Sequence, residues 1–556
     1  MAPLRPPGEV MRLARMGAAF PTRLSFMRAL VREMAAAGVR VSRPLWQIDE
    51  KGHGRAVYVA DLGGQKLSLV AFSQPLADEA RTDRVIAEAW DTTYALFDGV
   101  PGPEDIDRLA ANVPRQEAGR YSARELVLCR ANRSVRLFEH VADRLAAGRQ
   151  PEMAEVARVG YLMRTTAVYG NGKFGIADRA LIARRPILAG PFRAELLTVW
   201  LIRGFTLDLV EHVAAARGGA GAARLDPAIR RFLGIGNATG LGMAPFMASH
   251  PVLIHNWVLA RETALARVRA LERADARSIE RFRALLARAR RHVAEWTTDD
   301  ARQMARIETL REELARLERL ATAEWLAAPR PWERVVAATA PLSLEAQEMA
   351  VALVIEPHGA LVDDLAAQMA DNEGARLDPA MPLARLADIL REHYGWALAI
   401  DFADPERRRL FWYTSEEKLE PRLGDRFAEP GAEKEMPLDI ALQVQALARA
   451  LDEADPAAPV AELLLGRPDL RHIVRRVQTV ARHPYAEIRD NLIDARCLPI
   501  DLLRFKLAFF GAVKFDPRSD RWTRITMYQG APGFDEVLAP DADDWSFPVA
   551  PVVEGG

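Results

Sequence analysis

Apolar residues between positions 20 and 37 recur at three- and four-residue spacing, and the run stops at Gly38, which predicts a helix. Beyond it apolar and polar positions alternate over 45–48, 56–60 and 67–72, the last two separated by Asp61-Leu-Gly-Gly64. That pattern predicts three short strands and a glycine hairpin. From 383 to 394 the helical spacing returns and stops at Gly395, followed by strand-like stretches at 397–402 and 409–413 about Asp404-Pro405.

The order of elements is thus repeated, and residue matches follow it. Ser73 with Asp83-Arg84 is echoed by Ser415 with Asp425-Arg426, and Glu125-x-x-Leu-x-Arg130 by Glu462-x-x-Leu-x-Arg467. Ala167-Val-Tyr-Gly-Asn-Gly-Lys-Phe174 is echoed by Ala508-Phe-Phe-Gly-Ala-Val-Lys-Phe515. A nearly constant offset predicts a tandem duplication.

The expected fold is mainly α with small antiparallel sheets, an α+β chain whose duplicated lobes at 1–184 and 376–556 flank a helical region at 185–375. Within that region 192–215 reads as one helix. Residues 257–291 and 299–327 read as a long antiparallel hairpin, with Thr297-Thr-Asp-Asp300 supplying caps between them. The apolar content of 257–327 exceeds what a solvated arm needs, so the expectation is a homodimer or a hairpin on the body. Pro540, Pro548 and Pro551 mark the acidic C-terminal stretch as a strap or a tail.

Composition narrows the function classes. Apolar residues make up 49% and charged residues 27% of 556, with a net charge of -1, which argues against disorder and against a globally basic nucleic-acid binder. No apolar run reaches the ~18 residues of a membrane span, and no signal-peptide core is present. Two distant cysteines, Cys129 and Cys497, make neither a disulfide framework nor a zinc knuckle, so the expected location is cytoplasmic.

Only seven of the 75 basic residues are lysines, and asparagines also number seven. In such an arginine-rich chain a persisting Lys or Asn marks a place where an amine or amide is needed. Four of the seven asparagines fall in three segments, 130–134, 164–175 and 234–257. These are the candidates for one polar pocket.

The segment 164–175 ends an apolar helical pattern and carries Gly170, Gly172 and Gly175 around Asn171 and Lys173. Glycines bring backbone N–H groups close to a ligand, and Arg164, Thr165 and Lys173 add donors suited to a carboxylate or phosphate. The plainer reading is a helix C-cap at Gly170. Gly511 and Lys514 repeat the pattern without the Asn-Gly, which assigns the site to the first copy. The segment 234–243, with Asn237 and Thr239, reads as a glycine-rich turn; it matches neither the dinucleotide fingerprint nor the P-loop. Arg130, Asn132 and Arg133 open an expected helix running to about 147, where the arginines suit a bidentate carboxylate or serve only as structure. His250 and His255 lack zinc-helix spacing, so no metal site is assigned, and no cofactor motif is present.

The residues support a cytosolic enzyme acting on a small anionic metabolite, of lyase or isomerase type because a cofactor motif is lacking. Tyr169 and Lys173 are its candidate catalytic groups, with Arg164, Thr165, Asn171, Asn237, Thr239, Arg130 and Asn132 binding substrate. The alternative is a non-catalytic assembly or regulatory protein that uses the Arg/Glu-rich hairpin to bind a partner. Neither reading involves a membrane, and the acids interleaved with the arginines argue against nucleic acid.

Overall fold

The computed structural model describes residues 2–81, 89–113, 122–165, 184–240, 250–370, 375–404, 412–414, 421–423, 437–489, 500–519 and 522–552. Among these the N-terminal alternation folds as predicted. The helix Phe26–Ala36 is followed by β1 (Arg40–Ile48), β2 (Gly54–Leu62) and β3 (Gln65–Ser73) in an antiparallel meander. Leu62 pairs with Gln65, and Gly63 and Gly64 close the hairpin with φ of 64° and 99°, a conformation costly for any residue with a Cβ.

The meander continues through β4 (Thr92–Asp98), β5 (Glu125–Arg133) and β6 (Tyr161–Thr165), each antiparallel to the one before. β7 (Gly234–Gly240) then adds parallel to β6, and β11 (Trp522–Met527) and β10 (Lys514–Ser519) complete a curled sheet of nine described strands. A two-stranded ribbon of β8 (Trp412–Thr414) and β9 (Pro421–Leu423) stands apart from it.

The expectation of a mainly α chain with small sheets and duplicated lobes is therefore overturned. One large mixed sheet draws strands from all three expected regions. β7 arises where a glycine turn was expected, because glycine is usually poor in strands. Here the glycines are required. A Cβ at Gly236 would sit 2.6 Å from the Tyr161 ring, and one at Gly234 would sit 2.3 Å from the Met527 carbonyl.

The duplication fails at matched positions. Glu125 to Arg130 lie in strand β5, whereas Glu462 lies in the helix Val460–Gly466 and Arg467 caps it. The stretch expected as a strand at 397–402 begins inside the helix Leu383–Leu398. Matching residue types without a shared period does not impose a shared fold. Gly511 does cap the helix Asp501–Phe510 in the left-handed conformation, but Lys514 then opens β10, and Gly170 to Phe174 lie outside the described residues. The helices between 383 and 482 bury a core of their own, including Leu386, Ile389, Val444 and Val477.

The helix Arg193–Gly218 explains how the sheet curls. It is buried along most of its length and packs against β3, β5, β6 and β7. Phe205 meets Tyr58, Tyr94 and Trp46 of the strands. The other face of β2 to β5 is covered by the helix Pro103–Asn112 through Leu109.

The expected first hairpin arm is two helices, Pro251–Arg269 and Ala276–Ala294, and the hairpin proper is Ala276–Ala294 with Ala301–Leu320. Asp275 and Asp300 cap them through the N–H groups of Ser278 and Gln303. Leu310 and Leu317 are buried within the chain, so the apolar excess that suggested a dimer surface is used in internal packing. The C-terminal stretch is a strap: Val537, Trp545 and Phe547 are buried, and Asp543 bonds Arg28. No described helix is long and apolar enough to cross a membrane.

Candidate functional site

Three adjacent strands carry the described candidates. Asn132 of β5 pairs with Arg164 of β6, Ala131 pairs with Thr165, and Arg164 aligns with Gly236 of β7 in the parallel ladder. The described ends of the asparagine-rich segments are thus neighbours. Arg130 to Arg133 complete a strand, where the start of a helix was expected; the helix itself is Phe138–Ala146. Tyr161 to Thr165 likewise form a strand and not a helix end.

Strand alternation then divides the candidates between two faces. Leu128, on the face covered by Leu109, is followed at two-residue intervals by Arg130 and Asn132, and cross-strand pairing adds Arg164 to that face. Cys129, Ala131 and Thr165 face the main core, where the Cys129 thiol lies 2.9 Å from the Thr165 hydroxyl.

On the first face the guanidinium carbon of Arg130 lies 3.4 Å from the centroid of the Trp90 ring. Burial lowers the Arg130 pKa to about 10, because water is stripped from the cation. Asn132 holds the segment that carries Trp90: its Oδ1 accepts the Asp91 N–H at 3.1 Å, and its Nδ2 donates to the Ala89 carbonyl at 3.2 Å. Its amide is used in positioning. Asp91, fully buried, accepts from the Arg133 N–H and from Arg81 Nε at 2.9 Å.

On the core face Asn237 bridges two elements. Its Nδ2 donates to the Thr165 carbonyl at 2.6 Å, and its Oδ1 accepts from Nζ of Lys506 at 2.7 Å. Lys506 is fully buried, and desolvation pushes its pKa well below that of an ordinary lysine. Thr239 lies in β7 opposite Thr523. Tyr169, Asn171 and Lys173 lie outside the described residues.

Sequence reasoning missed Trp90, Asp91 and Lys506. The first two carry no pattern. Lys506 had one signal, a scarce lysine inside the apolar run Leu503 to Phe510. A cleft of about 570 Å³ opens at the same end of the sheet, lined among others by Lys51, His53, Arg81, Arg133 and Glu139. Its cations are largely matched: Arg81 pairs with Asp91, and Arg217 pairs with Glu139.

Two guanidiniums on one face of neighbouring strands, one of them desolvated and stacked on an indole, suit a planar carboxylate or a phosphate. Among the described residues no group of three His, Cys, Asp or Glu side chains could hold a metal ion. Comparison of the chain with family models, with curated proteins and with solved structures finds no match in any of the three.

Proposed function

We propose that the protein binds a small carboxylate or phosphate against Arg130 and Arg164 and acts on it as a cytoplasmic enzyme of lyase or isomerase type. One observation carries this reading: the pairing of Asn132 with Arg164 sets both arginines on a single face, with Arg130 held on Trp90. Guanidiniums at these two positions offer the forked N–H donors that a carboxylate or phosphate accepts. Tyr169 as proton donor and Lys173 as a further cation belong to the same proposal, since both follow Thr165 closely in the chain. A reducing compartment agrees with the buried free thiol of Cys129.

The test is a thermal-shift screen of mono- and dicarboxylates, phosphate and phosphate monoesters at low ionic strength. A ligand that binds only the folded state raises the melting temperature. The reading expects at least one anion to do so in the wild type and not in Arg130→Met, which keeps the apolar stem, while Arg217→Met responds as the wild type does. A shift that survives both Arg130→Met and Arg164→Met places the anion elsewhere.

A further inference from the structure

The helix Ala276–Ala294 buries Ile279, Phe282, Leu286 and Val293 toward the body. Its opposite side carries Arg277, Arg281, Arg288 and Arg291, which with Ala284 follow a spacing of four, three, four and three residues and so form one stripe. The small Ala284 at the centre leaves room, and the stripe lines a groove of about 390 Å³.

The opposite wall of the groove supplies a carboxylate. Asp544, from the C-terminal strap, accepts from Arg288 and lies 3.2 Å from Arg281. Burial would raise the Asp544 pKa, yet Arg288 and Arg281 hold it below the usual carboxylate value. The two central arginines are thereby occupied. The side chains of Arg277 and Arg291, at the two ends, make no hydrogen bond or ion pair with any described residue. Four guanidiniums face two carboxylates, Glu280 and Asp544, so the groove keeps a positive surplus.

We propose that this groove docks an extended acidic segment of a partner protein, whose carboxylates engage Arg277 and Arg291 on either side of the resident Asp544. Arg277 and Arg291 are separated by 14 helical residues, roughly 21 Å at 1.5 Å per residue, which about six extended residues span. Charge complementarity selects the occupant, and Asp544 shows how a carboxylate seats between two of these arginines. A nucleic acid fits less well: two carboxylates line the groove, and the chain as a whole carries a net charge of -1. The proposal is independent of the anion site on the sheet.

Fluorescence anisotropy with fluorescein-labelled hexaglutamate on the full chain, at about 50 mM salt, tests it. The expected result is saturable binding that weakens at least tenfold in Arg277→Gln/Arg291→Gln, a pair on an exposed helix face whose replacement leaves the circular dichroism unchanged. Binding should persist in Arg130→Met/Arg164→Met, and labelled hexaglutamine should not bind. Absent binding, equal affinity in the wild type and the Arg277→Gln/Arg291→Gln variant, or a single-stranded oligonucleotide that binds more tightly and displaces hexaglutamate, overturns the proposal.

Discussion

Arg130 lies over Trp90 with its guanidinium carbon 3.4 Å from the ring centroid, and Trp90 is itself carried by a segment whose backbone hydrogen bonds to Asn132. The indole therefore fixes the plane of the guanidinium, and Asn132 fixes the indole. A partly desolvated cation–π contact contributes about 0.5–2 kcal/mol.

Trp90→Leu keeps an apolar surface but removes the ring, so it is expected to cost roughly 1 kcal/mol of stability and to weaken anion affinity several-fold. Asn132→Ala should act in the same direction through the loosened 89–91 segment. Chemical denaturation with parallel titration checks both; unchanged affinity in Trp90→Leu contradicts the positioning role.

Gly204 sits in the middle of the helix Arg193–Gly218, where alanine would ordinarily stabilise by up to ~1 kcal/mol. A Cβ there would lie 2.0 Å from the Phe534 ring, which also packs edge-on to Trp200 with centroids 4.9 Å apart. Gly204→Ala is expected to lose about 1–3 kcal/mol through overpacking. In a Phe534→Ala background the same substitution should become neutral or stabilising. A double-mutant cycle by urea denaturation reads that reversal, and additive effects would deny the contact.

These elements differ in how legible they were. β2, β3 and their Gly63-Gly64 turn follow from period-two alternation and turn chemistry, and the helix Arg193–Gly218 follows from the helical pattern over 192–215. β7 did not, because its glycines serve close backbone approach to Tyr161 and Met527, a need set by elements distant in sequence. Scarcity of asparagine pointed to Asn132 and Asn237. It could not show that they fall on opposite faces, since that depends on reading 125–133 as a strand. The false duplication rested on identities such as Glu125 with Glu462, which carry no information about period.

His292 is fully buried, its Nδ1 2.7 Å from the Pro548 carbonyl, and burial lowers its pKa to about 4 although the carbonyls of Pro548 and Val513 favour the cation. The unfolded chain takes up this proton near pH 6.5, so stability falls as pH drops from about 6.5 to 4, by on the order of 3 kcal/mol for this group. His255 and His358, also lowered to about 4, act in the same sense. His292→Gln should flatten the stability profile over that window in urea titrations; a superimposable profile contradicts the assignment. Below pH 4 a second loss is expected as Asp543 protonates. Its burial opposes ionisation, but Arg28, Arg23 and Arg32 bring its pKa to about 2.

Lys506 works in the opposite pH range. Its pKa is depressed by burial, so the unfolded chain binds this proton more readily below the ordinary lysine value of 10.5, and the folded state gains stability as pH rises toward that value. Lys506→Met conserves volume and removes the ionisation. The wild type should therefore gain stability relative to Lys506→Met between neutral pH and about pH 10. Parallel pH dependences for the two proteins contradict a desolvated amine at this position.

If Arg130 and Arg164 form one anion-binding face, calorimetric titration detects it. Succinate and inorganic phosphate are titrated separately, at low salt and pH 7.5, into the wild type and into folded Arg130→Met/Arg164→Met. The expected result is single-site binding of at least one of them to the wild type, with the heat abolished in the double variant and retained in Arg217→Met. Equal affinity in the wild type and the double variant, or heat from neither anion in the wild type, contradicts it.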